Sequence, residues 1–297
     1  MTLVTGFMTG NAVILCADSE EVVGDYSKSR TQKIRPSMHH DNWRMAIAGA
    51  GPGPSIDYFE HKLALNLAHL KEFDYSLIVE TIESMLHILY EQHIYPDPDR
   101  DREDFQTLIA LQGINPTKSR ALLWTHKTKV IPIREYKSIG VGCHLADYVY
   151  SQLFPKMGTI YNSPTEQIAN LGVYMLQQVK GGIQDVDGET NVLTFYGDTG
   201  EMRWMIHEEV EEVEYWMKHF HLAQLPLMMA VSNPRMPMKE FENDLRLFQI
   251  KMQKIKEAQA RDVKARDRAY AEWQNHERIL RERAGRKDSP STEKPEP

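Results

Sequence analysis

The chain has 297 residues, 41% hydrophobic and 26% charged, which is material for one or two domains with a sizeable core. Its formal net charge of −7 speaks against general nucleic-acid affinity, which rests on phosphate neutralisation by a basic surface. No apolar run approaches the ~20 residues that span a bilayer, the start lacks a basic segment followed by an apolar block, and Cys16 and Cys143 are too few for a disulfide framework; a reducing cytoplasm, with neither membrane nor nucleic acid as partner, is expected.

Thr2 stands ahead of two β-rich runs, Leu3–Phe7 and Asn11–Ser19, which meet at a tight turn, Thr9-Gly10-Asn11. Cys16 in the second run reads as a small buried hydrophobe. The run delivers Asp18 and Ser19 at its end, Gly24 follows, and Thr31-Gln32-Lys33-Ile34 is a third extended piece. An initiator Met is generally trimmed before a small residue, so the mature chain is expected to begin at Thr2. A threonine with a free α-amine holds nucleophile and base together. The amine, of reference pKa about 8, takes the proton from its own hydroxyl directly or through a water.

Trp43–Ala48 reads as a strand, ended by Gly49-Ala50-Gly51-Pro52-Gly53-Pro54. Ser55 is the expected N-cap of a helix whose apolar positions are Ile56, Phe59, Leu63, Leu67 and Leu70; a second uses Ile78, Ile82, Leu86 and Leu89. In the polar loop that follows, Asp97, Asp99 and Asp101 imitate a calcium loop. Its sixth position is Arg102 and its twelfth Leu108, so a solvated loop is expected. Thr107–Leu111, Ala121–Trp124 and Val130–Ile133 read as strands, and Ser138–Gly142 leads into a helix through Leu145, Val149 and Leu153. Ser163-Pro164-Thr165-Glu166 reads as a capping box for a helix through Ile168, Leu171, Met175 and Val179 to Gly181-Gly182. Asn191–Tyr196 and Met202–Met205 read as strands, and Glu208–His219 as a helix. Strands, two helices, strands, two helices, strands, helix: this order suits an α+β, four-layer αββα sandwich with helix pairs outside two central sheets.

From about Met238 the character changes. Phe241, Leu245, Phe248, Met252 and Ile255 form a heptad seam that lapses at Gln259, Asp262 and Arg266 and partly recovers at Ala269, Trp273 and Leu280. The expected organisation is a domain over 1–235, a charged helical extension over 236–285 and a disordered tail over 286–297. The seam packs either on its own subunit or on a neighbour. His39-His40 and His219/His221 lack a metal-ligand constellation, and no metal or organic cofactor is expected.

With Thr2, Ala17-Asp18-Ser19, Gly24, Thr31-Gln32-Lys33 and Ala48-Gly49-Ala50-Gly51 in that order, the chain resembles the β-type subunits of the 20S proteasome and the bacterial proteasome-like peptidases, members of the N-terminal-nucleophile hydrolase superfamily. The resemblance runs over residues 2–222. It implies rings of subunits whose active sites face a central chamber, polypeptide substrates, an unfoldase ATPase as a feeding partner, and a threonine-type endopeptidase. By the same resemblance Thr2 is the nucleophile and, through its amine, the proton acceptor. Asp18 orients a lysine that lowers the pKa of the Thr2 groups electrostatically; the Gly49 N–H serves the oxyanion; and Asp185 is a later acidic residue of the site.

The chain also departs from that pattern. The family has two consecutive lysines, the catalytic one second, where this chain has Lys33-Ile34. Either the loop Asp25–Arg30 is one residue shorter and Lys33 takes the role, or Ile34 occupies the position and the charge is gone. Strand alternation puts Lys33 and Arg35 on one face and Ile34 on the other. The family's serine between two glycines is Val141, its serine three residues beyond the later Asp is Gly188, and its frequent Arg is Glu20. A catalytically inactive structural or gating subunit, or a small-molecule amidase of the same fold, are the alternative readings.

Overall fold

A computed structural model describes residues 2–23, 27–39, 41–96, 105–114, 118–154, 160–183, 186–232 and 236–287. The chain divides into two compact units, Met1–Glu214 and Tyr215–Pro297.

The first unit is built on two antiparallel five-stranded sheets. One contains β1 (Leu3–Met8), β2 (Ala12–Asp18), β10 (Tyr136–Gly140), β11 (Thr190–Tyr196) and β12 (Met202–Trp204), in the order β10-β1-β2-β11-β12. The other runs in sequence order through β5 (Ile34–His39), β6 (Trp43–Ala50), β7 (Gln106–Gly113), β8 (Arg120–His126) and β9 (Lys129–Ile133). A separate hairpin, β3 (Glu20–Val23) with β4 (Ser27–Arg30), stands between them in sequence.

Why β2 is apolar from Ala12 to Ala17 follows from the layering. Val13, Leu15 and Ala17 of β2 join Val4, Leu193 and Phe195 against Ile34, Ala46, Ala48, Leu108, Ala110 and Leu122 of the second sheet. Ile14 and Cys16 point the other way, into a layer with Val173, Leu176 and Val179. A strand covered on both faces has no solvent side on which to place polar residues. The helices α3 (Cys143–Leu153) and α4 (Thr165–Gly182) cover the first sheet, while α1 (Gly53–Leu67) and α2 (Tyr75–Leu89) cover the second through Phe59, Leu63, Ile78, Ile82 and Leu86. The expected four-layer αββα sandwich is therefore present.

Helix starts are set by proline and aspartate rather than by serine. Pro52 is the N-cap of α1 and Pro54 lies in its first turn, where a missing N–H costs nothing; Ser55 lies inside the helix. The Asp74 carboxylate caps α2, accepting the Leu77 N–H at 3.0 Å. Helix α4 has Pro164 at its N-cap and Glu166 in its first turn. A π-helical turn, Tyr90–Ile94, follows α2.

The helix α5 (His207–Ser232) continues well past His219 and carries Pro226 inside it, and α6 (Met238–Lys287) is 50 residues long. In the second unit the seam residues Phe241, Leu245, Phe248, Met252 and Ile255 are half-buried, and the Phe248 ring lies 6.4 Å from that of Phe220 on α5. Asp97, Asp99, Asp101, Gly24, His40 and residues 288–297 lie outside the described residues. Among those described, no helix is long and apolar enough to cross a membrane.

Candidate functional site

Thr2 enters the first sheet at the open end of β1. Its carbonyl oxygen accepts the Val141 N–H at 2.9 Å, so the residue is tied to the turn that follows β10. Gly140 has φ +95°, a backbone region that costs a residue with a Cβ roughly 1–2 kcal/mol. A Cβ there would also overlap the Thr2 carbonyl oxygen and would lie 3.3 Å from the Ala50 methyl. The tip of β10 thus brings Thr2 and the end of β6 together. Carried back one residue from β1, strand alternation puts Thr2 on the face of Val4, which is the face toward the second sheet.

Asp18 closes β2 and is fully buried. Its Oδ1 accepts the Leu3 N–H at 2.7 Å, immediately after Thr2, and its Oδ2 accepts from Lys33 Nζ at 2.7 Å. The Lys33 side chain is 4% exposed, and its Nζ also donates to the Glu20 backbone oxygen. Burial raises the Asp18 carboxyl above its ordinary value, while the Lys33 ammonium, the Leu3 N–H and the more distant Lys180 pull it back. Ile34 lies wholly within the core between the sheets. The apolar interior takes the isoleucine, and alternation then sends the lysine to the carboxylate.

Gly49 pairs with Thr107 of β7, but the β5 ladder ends one step earlier, at Ile34↔Ala48. The last two residues of β6 therefore run past the end of that ladder toward the Thr2 end of the fold. Val141 is exposed and carries no hydroxyl, Gly188 carries no side chain, and Asp185 lies outside the described residues. No cluster of His, Cys, Asp and Glu that could hold a metal ion occurs among the described residues.

Thr2, Asp18, Lys33 and the end of β6 around Gly49 thus gather at one end of the sandwich. A second lysine near Asp18, the half-buried Lys180, was not singled out from the sequence. The nearest signal is its place in the last turn of a helix, which has a purely local explanation in the helix dipole.

No family model matches the chain, and no curated protein matches it in sequence. Solved structures do. Anbu (ancestral beta-subunit) from Yersinia bercovieri is 10% identical over 79% of this chain and 99% of its own, with a TM-score of 0.62. Anbu from Hyphomicrobium sp. strain MC1 is 9% identical over 74% of this chain and 96% of its own, with a TM-score of 0.61. A Gly-1 mutant of that protein is 10% identical over 75% and 96%, also at 0.61. The fold is that of the proteasome-like N-terminal-nucleophile hydrolases. The resemblance to 20S proteasome β-type subunits is corrected by these neighbours, which are Anbu, a distinct proteasome-like protein of the same superfamily. Ile34, Val141 and Gly188 already stood apart from the β-type pattern.

Proposed function

We propose that this protein is a threonine-type peptidase of proteasome-like fold that works in a ring of its own copies, with Thr2 exposed by removal of Met1. The Thr2 hydroxyl attacks the substrate carbonyl as the α-amine accepts its proton. The Gly49 N–H stabilises the oxyanion, and water hydrolyses the resulting ester. Lys33 supplies positive charge beside the reacting groups, Asp18 holds Lys33, and Asp185 completes the acidic residues of the site. No metal or organic cofactor takes part; polypeptide is the substrate, and an unfoldase ATPase is the partner that would feed the chamber.

The observation that carries this reading is the dry Lys33–Asp18 pair bonded to the Leu3 N–H. A buried ion pair is a poor device for stability alone, since desolvation offsets most of its attraction. Tied to the residue that follows Thr2, it is well suited to bias proton transfer there.

A structural ring subunit is the second reading, favoured by the missing hydroxyls at Val141 and Gly188. Intact mass after treatment with an epoxyketone, which requires both the amine and the hydroxyl of an N-terminal threonine, decides between them. Loss of Met1 with a stoichiometric adduct that vanishes in Thr2→Ala supports the peptidase. Retention of Met1, or a trimmed chain without adduct, supports the scaffold. Cleavage of small amides but not peptides would move the reading to an amidase.

A further inference from the structure

Lys180 lies near the C-terminal end of α4, largely withdrawn from solvent, and the reaction above leaves it unused. Its Nζ donates to the Gly188 carbonyl at 2.6 Å and to Thr190 Oγ1 at 2.8 Å. Thr190 Oγ1 donates in turn to Glu214 Oε1 at 3.1 Å. Thr190 is the direct cross-strand partner of Asp18, so the two side chains share a face of the sheet. It is the face of Ile14 and Cys16, which packs under α4.

The segment from Asp187 to Thr190 is fastened to the end of β2 at two further points. The Glu189 N–H donates to Ser19 Oγ at 2.7 Å, and the Glu20 N–H donates to the Asp187 carbonyl at 3.2 Å. Gly188, at φ +78°, lies so near that a Cβ would be 2.5 Å from Ser19 Oγ. Lys180 therefore joins α4, the start of β11 and, through Thr190, the carboxylate strand. The charges that face it are Glu214 on α5, Asp18 on β2, and Asp187 and Glu189 on the connecting segment; those that face Asp18 are Lys33 and Lys180.

An apolar chain would fill this space without the desolvation cost of an ammonium. What the ammonium adds is three donors and a second positive charge near Asp18. We infer that Lys180 is a positioning residue for the chemistry of Thr2, acting through Thr190 and Asp18 rather than on the substrate. The inference rests on the reaction proposed above and adds to it a second cation that keeps Asp18 ionised and in place.

The test is the rate of epoxyketone adduct formation, read by intact mass from pH 5 to pH 9, for the wild type, Lys180→Gln, Lys180→Met and Lys180→Arg. Removing a positive charge makes Asp18 harder to ionise. The acidic limb of the profile should therefore move to higher pH by about half a unit in the Gln and Met variants, with the plateau falling roughly three- to tenfold. Arg, which keeps the charge, should restore the position of the limb. Gln keeps a donor and so provides a folded variant if Met does not fold. A folded Gln or Met variant whose limb stays in place, losing only thermal stability, overturns the inference and leaves the Thr2 reading intact. A trimmed wild type that forms no adduct overturns both.

Discussion

Gly140 and Thr2 fit together by shape: the Thr2 carbonyl oxygen occupies the space that any Cβ at position 140 would need. That oxygen is also held by the next N–H, of Val141, at 2.9 Å. Gly140→Ala is therefore expected to cost at least the roughly 1–2 kcal/mol of the left-handed backbone and to push Thr2 out of line. A shift of about 1 Å at a nucleophile can cost on the order of 100-fold in rate. The check is adduct formation by intact mass beside a thermal melt. A folded variant reacting at the wild-type rate would refute the tie between this turn and the chemistry.

The Lys33–Asp18 pair makes a prediction about stability and pH. Lys33→Met leaves a buried carboxylate without its cation, expected to cost about 3–5 kcal/mol. Burial already raises the Asp18 carboxyl, and losing Lys33 raises it further. A carboxyl raised in the folded state contributes stability that is fully present below its ordinary value, near 4, and is lost as pH rises through the folded value. The variant should accordingly be weakest, relative to wild type, near pH 8 and recover toward pH 5. Urea unfolding at the two pH values measures this, and a pH-independent difference would count against an ionised Asp18. Asp18→Asn combined with Lys33→Met should recover part of the loss, because neither charge is then left alone.

How far the sequence carried can be judged from particular residues. The sandwich was legible because β2, β6 and β7 are apolar on both faces, and because Phe59, Leu63, Ile78, Ile82 and Leu86 keep helical spacing on a single stripe. The β3–β4 hairpin was not, since Glu20-Glu21-Val22-Val23 and Ser27–Arg30 lack the alternation that marks a half-buried strand. Helix α5 runs past the expected end at His219 and through Pro226, although a proline inside a helix normally breaks it. At the candidate site, alternation separates Lys33 from Ile34 without saying which faces the core; only the packing of Ile34 between the sheets decides. Lys180 was silent for a different reason. Its meaning lies in the pairing of Thr190 with Asp18, which no local pattern carries.

The two thiols should behave unlike each other. Burial pushes the Cys16 thiol up to about 12, and Cys143, half-buried at the start of α3, is raised less, by burial and then by Asp147. The thiolate is the reactive form. Iodoacetamide should label Cys143 slowly at pH 8 and faster as pH rises, and should leave Cys16 unlabelled until the protein is unfolded. Peptide mapping of the labelled sites distinguishes the two, and early labelling at Cys16 would mean that β2 is open to solvent.

Asp74→Ala removes the N-cap side chain of α2, whose carboxylate accepts the Leu77 N–H at 3.0 Å. A cost of about 1 kcal/mol is expected, or roughly 2–4 °C in the melting temperature for a unit of this size. Asp74→Ser should restore most of it. Adduct formation at Thr2 should be unchanged, since α2 lies behind the second sheet and away from β1.

The partners that complete the first sheet are distant in the chain. Strand β2 is made early, yet its neighbour β11 arrives late: the Glu189 N–H and the Ser19 hydroxyl that join the two are 170 residues apart. At the ordinary pace of protein synthesis, the first hairpin emerges and then waits on the order of 10–30 s for the strand that covers its edge. Until β10 and then β11 arrive to pair its two edges, Leu3–Asp18 is a largely apolar ribbon with unpaired backbone, the kind of segment that seeks other strands. The ribosome thus finishes this hairpin well before its shelter, and the order of synthesis itself delays assembly of the Thr2 end until the sheet is whole.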